Sequence, residues 1–190
     1  MAVTKTVPVE RILRVLGEHN IQLIGENRWQ EAKSKLPSLP PGTEKHFIGH
    51  LQTNKVKEVV EAFDCIETVD SLKLAKAINA INKPADVFLQ VNVSQDPAKH
   101  GFLPNELEAA LSQIQLLKNL NVAGLMTITA KQTKDQTRQD FRMMKQLQTK
   151  FGLQELSMGM SDDWEIAVEE GATIVRLGSA LFGPRISAKL

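Results

Sequence analysis

Two short apolar runs near the C-terminus, residues 155–158 and 174–177, each empty into small and polar residues: Gly159, Met160 and Ser161 after the first, Gly178 and Ser179 after the second. A phosphate needs several N–H or O–H donors converging on it without obstruction; glycine lets backbone approach closely and serine adds a hydroxyl. Two such strand exits side by side can therefore form an anion cup. In (β/α)8 barrels that cup commonly lies in the loops after strands 7 and 8, beside the N-terminus of a short extra helix, which Ser179 would open here. Asp162 and Asp163 would repel a phosphate from the first turn after Ser161, so they are expected to cap their own helix, with Asp162 and Glu165 spaced as a capping box.

Strand alternation puts Ile174, Arg176 and Gly178 on one face, so Arg176 points with the phosphate-end glycine. A guanidinium facing a barrel interior is costly unless its hydrogen bonds are accepted, and an ion pair with a neighbouring strand or a ligand contact would each serve. Lys5 sits at the end of another apolar run and alternates with Val3 toward the interior. A desolvated lysine loses its proton more readily, and the neutral amine attacks aldehydes. An inward lysine together with an anion cup suggests covalent capture of a phosphorylated aldehyde; a salt-bridged lysine is the plainer alternative.

The elements that would position these groups alternate along the whole chain. Strands are expected over 2–5, 23–26, 46–49, 65–69, 87–93, 122–128, 156–158 and 174–177, with helical periods over 8–17, 29–36, 54–63, 71–81, 105–117, 136–151 and 162–170. Apolar strands alternating with helices imply a parallel sheet covered on both faces. Eight such units make an α/β fold of (β/α)8 barrel type the leading architecture, with a doubly wound sheet as the alternative. Residues 1–190 are read as one domain, starting directly at strand 1. Met126 and Met158 are expected as barrel filler and Trp164 as packing between its helix and the barrel.

Composition narrows the possible partners. The 190 residues carry 23 Lys and Arg against 22 Asp and Glu, a formal net charge of +1, which argues against nucleic acid as an obligatory partner. The most basic stretch, 131–150, has Phe141 as its one aromatic and reads as a solvated helix face. No apolar run approaches the ~20 residues of a membrane span, and no signal-peptide pattern is present. With the single Cys65 in an apolar run, a cytoplasmic, reducing location is expected. His46 has no second His, Cys or carboxylate at metal-ligand spacing, so no metal site is expected. There is no tyrosine, which excludes a phenol of this chain as a proton donor.

The segments AVTKTVP at 2–8, GENRWQE at 25–31, HFIGHLQTNKVK at 46–57, QVNVSQDPAKHGF at 90–102, GLMTI at 124–128, LSMGMSDDWEIAVEEG at 156–171 and VRLGSALFG at 175–183 together resemble the pyridoxal phosphate (PLP) homeostasis protein family, the single-domain relatives of the alanine racemase barrel. The resemblance covers nearly the whole chain. It implies a PLP-binding barrel in which Lys5 is the covalent Schiff-base lysine, Ser161 with Gly178 and Ser179 holds the phosphate, and Arg176 meets the pyridine nitrogen. It also places Asn27 and His46 near the cofactor. The family's usual helix-containing segment before AVTK is missing here, which predicts a gap in the outer ring. Trp29 and His50 stand where smaller residues or proline are expected, and His100 enters the KHGF element; these change the rim.

Three functions follow as alternatives. One is a PLP carrier supporting cofactor supply and amino-acid balance, acting as a monomer with PLP and apo PLP-enzymes as partners. Another is a racemase-type PLP enzyme. Arginine at the pyridine nitrogen weakens PLP as an electron sink, and the racemase scheme needs a tyrosine and a second β-rich domain, so the carrier is favoured. A phosphosugar-handling barrel without PLP survives if Lys5 is only structural.

Overall fold

Strand and helix alternate without exception in the computed structural model, which describes residues 1–184. The eight strands are β1 (Ala2–Val3), β2 (Leu23–Glu26), β3 (Glu44–Phe47), β4 (Cys65–Val69), β5 (Ala85–Gln90), β6 (Leu120–Met126), β7 (Glu155–Met160) and β8 (Ile174–Arg176). Each is followed by its helix: α1 (Val9–Glu18), α2 (Trp29–Lys35), α3 (Val56–Ala62), α4 (Leu72–Asn79), α5 (Leu107–Ile114), α6 (Lys134–Lys150), α7 (Trp164–Glu169) and α8 (Ser179–Phe182). Neighbouring strands pair in parallel in chain order from β1 to β8. The ring closes where Val3 N donates to Leu177 O at 2.9 Å and Leu177 N to Met1 O at 3.0 Å. A closed parallel ring leaves no edge for a doubly wound alternative.

Alternation along the strands sorts the side chains into two layers. Val87, Leu89, Leu125, Leu156 and Met158 face outward into the main core with Leu74, Ile78, Leu107 and Phe141 from the helices. Cys65, Phe88 and Met126 point inward and form a small apolar cluster of their own. Met126 is therefore barrel filler as expected, but Met158 is not; it packs in the outer layer, because Ser157 takes the inward position on β7. Burial pushes the Cys65 thiol well above its ordinary range, so it remains an inert apolar neighbour.

Four local differences from the sequence expectations follow. β1 stops at Val3, since the Thr4 carbonyl turns away to accept Val7 N at 3.1 Å and Lys35 Nζ at 2.7 Å. β5 ends at Gln90, and Val91 instead bridges to Phe102, which folds the 91–102 loop back onto the strand. The expected Asp162–Glu165 capping box does not form: α7 begins two residues later, at Trp164, and Asp163 Oδ1 accepts Met160 N at 2.6 Å. Trp164 is 38% exposed and does not wedge under its helix. Ala167 does so, because Gly159 has φ +87° and a Cβ there would lie 2.4 Å from the Ala167 methyl. Gly159 thus serves strand–helix packing.

Part of the basic stretch is paired within the chain. α6 buries Thr137, Phe141, Met144 and Gln148 on one face, and on the other Arg138 pairs with Glu169 and Glu170, Arg142 with Glu170, and Lys150 with Glu108. No helix of the described residues is long and apolar enough to cross a membrane.

Candidate cofactor site

A cavity of about 600 Å³ opens at the C-terminal end of the barrel, among the exits of β1, β2, β7 and β8. Lys5, Asn27, Ser161, Arg176, Gly178 and Ser179 all line it, from four separate strand ends. Lys5 is half-buried, in the turn after β1. Ser161 Oγ accepts Ala180 N at 3.2 Å, tying the β7 exit to the start of α8; a hydroxyl that accepts can still donate its own hydrogen. Gly178 and Ser179 open α8, where first-turn amides have no carbonyl of their own helix to pair with. A Cβ on Gly178 would meet only Val3, at an ordinary 3.8 Å, so packing within the protein does not demand glycine there. Asn27 Oδ1 is buried with no hydrogen-bond partner among the described residues.

Arg176 forms part of the cavity wall and is itself buried, with Nη1 donating to Ser157 Oγ at 2.8 Å and Nη2 to the Thr127 carbonyl at 2.6 Å. Ser157 Oγ donates to Glu67 Oε2 at 2.6 Å. Glu67 Oε1 lies 2.6 Å from His46 Nδ1, and His46 Nε2 lies 2.8 Å from Glu44 Oε1. A single relay thus runs across the barrel interior from β8 through β7 and β4 to β3. Burial lowers the Arg176 pKa, and Glu67 opposes that. Burial also works against a charged His46, yet hydrogen bonds and charge from Glu67 and Glu44 leave its pKa raised. His46 does not line the cavity; it is the fourth residue of the relay counted from Arg176. The guanidinium is therefore satisfied by a serine hydroxyl and a backbone carbonyl of neighbouring strands and not by the direct ion pair that was one alternative, while the residue also lines the cavity.

Beneath the Lys5 turn lies a second network that sequence reading missed. Thr4 Oγ1 donates to Glu26 Oε1 at 2.6 Å, and Lys35 Nζ reaches both Glu26 Oε1 at 3.3 Å and Glu31. Glu31 also accepts the amide of Thr6, whose φ is +62°. Burial raises the Glu26 pKa, with Thr4 and Lys35 opposing. These contacts fix the turn that presents Lys5. Glu67 was missed too, though a carboxylate at an inward position of the apolar CIETV strand was a usable sign that some cation had to face it.

A closed ring of eight parallel strands with a cavity at the exits of its last and first strands, where a few polar groups converge, defines a (β/α)8 protein with a candidate ligand site at the usual end of the barrel. Residues 1–186 match the family model for the alanine racemase N-terminal domain. The chain is 40% identical to the pyridoxal phosphate homeostasis protein of Synechocystis over 199 aligned positions, covering 98% of this chain and 91% of the relative, and 36% identical to that of Escherichia coli K12, covering 100% and 86%. PipY of Synechococcus elongatus, solved without and with PLP bound, superposes with TM-scores of 0.87 and 0.84 at 38% identity, over 96% of this chain and 91% of PipY. An alanine racemase from Clostridium difficile shares the fold over 100% of this chain and 53% of its own, with a TM-score of 0.76 at 18% identity. The chain belongs to the pyridoxal phosphate homeostasis protein family.

Proposed function

We propose that this protein binds pyridoxal 5′-phosphate covalently and reversibly on Lys5 and acts as a PLP carrier in cofactor homeostasis. The observation that carries this reading is the convergence of Lys5, Asn27, Ser161, Arg176, Gly178 and Ser179 on one cavity of about 600 Å³. The PLP bound in the related PipY supports it. The residues present fit the cofactor: an amine for the aldehyde, hydroxyl and amide donors for the phosphate, a fixed guanidinium, and a buried orphan acceptor on Asn27 that a ligand hydroxyl would satisfy. When bound, PLP supplies an aldehyde that an amine can hold covalently and a ring that can withdraw electrons.

The chain's own groups favour holding over turnover. Arg176 has only donors to offer. Placed at the pyridine nitrogen, it disfavours a proton there and so weakens electron withdrawal. Among the described residues lining the cavity there is no tyrosine, histidine or cysteine, and Asp162 is its one carboxylate. The cavity opens at the mouth of the barrel, so water can reach Lys5 and the attachment can reverse. The direct test is the visible spectrum and intact mass of the full chain, with and without PLP, before and after borohydride reduction. One phosphopyridoxyl group per chain is expected; no new band and no added mass would overturn the reading.

A further inference from the structure

We propose that His50, Asp70 and His100 form a binding site for a divalent transition-metal ion of the zinc type. The three residues come from the loops after β3, β4 and β5, on the side of the barrel mouth away from Lys5, and none of them lines the cofactor cavity. His50 Nδ1 and His100 Nδ1 lie 3.4 and 3.7 Å from the same oxygen, Asp70 Oδ2. One ligand atom from each residue falls within 4.8 Å of the other two.

The distances decide between an ordinary polar cluster and a metal site. Both N···O separations exceed the 2.7–3.2 Å usual for a hydrogen bond, roughly the range a carboxylate and an imidazole reach when they pair directly. A zinc ion with bonds of about 2.0–2.1 Å separates tetrahedral ligand atoms by about 3.3 Å, opening to about 3.6 Å where the ligand angle widens to ~120°. The Asp70–His50 spacing of 3.4 Å falls on that edge and the Asp70–His100 spacing of 3.7 Å lies just beyond it. The two imidazoles are stacked, with ring centroids 4.3 Å apart and planes 20° apart. A ring nitrogen ligates along its own ring plane, so the two exposed side chains have to turn about their χ angles for both Nδ1 atoms to meet one ion. Two nitrogens and one carboxylate oxygen suit zinc and its neighbours better than magnesium or calcium, which prefer oxygen throughout. Three protein ligands leave a fourth position for water.

The backbones carrying these ligands are independently anchored. Thr68 Oγ1 donates to Gly49 O at 2.6 Å, joining the positions beside Asp70 and His50. Gly49 packs so closely on the residue after β2 that a Cβ would lie 1.9 Å from Asn27 O. The His100 carbonyl accepts Gln90 Nε2 at 3.0 Å, and Gly101 with φ +126° lies against Asn92 N and Gln90 O, where a Cβ would find 2.7 and 2.9 Å. The inference does not rest on cofactor binding, since it uses different residues and a different part of the mouth.

The experiment is calorimetric titration of the tag-free full chain, stripped with chelator, with zinc, followed by cobalt(II) titration read by visible absorption. One equivalent of zinc is expected at micromolar affinity or better, with a cobalt spectrum of low coordination number. His50→Ala and His100→Ala, at side chains 53% and 63% exposed, should each weaken zinc binding by about 100-fold or more and bleach the cobalt bands while leaving the thermal midpoint unchanged. Asp70→Asn, which keeps the shape of a side chain only 11% exposed, should do the same. Zinc binding absent at millimolar concentration, or undiminished in the His50→Ala, His100→Ala double variant, would overturn the site.

Discussion

Arg176 on β8 donates from Nη1 to Ser157 Oγ on β7 across 2.8 Å, and through that hydroxyl its charge is matched by Glu67 on β4. The guanidinium is thereby held rigid at the cavity wall without a direct ion pair. Removing the matching charge leaves a buried cation uncompensated. Glu67→Gln should lower unfolding free energy by about 3–5 kcal/mol, and Ser157→Ala by about 1–3 kcal/mol. Denaturant titration would measure both, and a loss below ~1 kcal/mol for Glu67→Gln would mean the relay contributes little. Arg176→Gln should also destabilise, so its effect on cofactor binding has to be read against that loss.

Covalent attachment should map to Lys5. After borohydride reduction, peptide mass mapping is expected to place the phosphopyridoxyl group there, and Lys5→Ala should abolish it. The fold should survive that change, because the turn is held by Thr4, Thr6, Glu31 and Lys35. Adducts found mainly on Lys55, Lys57 or Lys99 would move the site.

Ser161→Ala removes a phosphate donor whose internal role is one bond from Ala180 N. A hydrogen bond to a charged group is worth roughly 1.5–3 kcal/mol, so PLP affinity should fall by roughly 10- to 100-fold with little change in thermal midpoint. Fluorescence titration of the variant against wild type settles it; equal affinities would place the phosphate elsewhere.

His46 supplies a pH signature. Its folded pKa is raised above the ordinary 6.5 by Glu67 and Glu44 despite burial. A raised pKa means that the folded state binds the proton more tightly, so this contribution is full below pH 6.5 and disappears as pH climbs through the folded value. The Met1 amine, lowered from 8.0 chiefly by burial, acts in the opposite sense in an overlapping window. The difference between wild type and His46→Gln isolates the imidazole: it should shrink as pH rises from 6 to 9 in thermal unfolding. A difference independent of pH would show that His46 does not titrate against its carboxylates.

A carrier must release what it holds. Incubating the PLP-loaded chain with an apo PLP-enzyme should restore that enzyme's activity, while alanine and serine keep their optical rotation in the presence of the chain alone. Racemisation that disappears with Lys5→Ala would replace the carrier reading with an enzymatic one, and retention of all PLP without transfer would remove the donor role.

The barrel class was legible along the chain because a parallel strand buried on both faces must be a short apolar run and its crossover must be a helix, and eight such alternations have few other solutions. Strand parity likewise pointed Arg176 inward, and the strand-exit rule marked Lys5, Ser161, Gly178 and Ser179 as rim residues. Parity does not give the local shape of the β7 exit, where the register shifts between Ser157 and Met160 and Gly159 has a positive φ. Cross-strand partners were invisible. Glu67, Ser157 and Arg176 meet across 90 and 19 residues of sequence, and His50, Asp70 and His100 come from three successive loops. No local periodicity encodes such meetings; they depend on ring closure and on the stagger between neighbouring strands, which set the height at which each inward side chain arrives. The sequence by itself determined the alternation, the inward faces and the kinds of group available at the mouth. Only the tertiary structure decided which of those groups touch, because that is a property of the closed ring and not of any one strand.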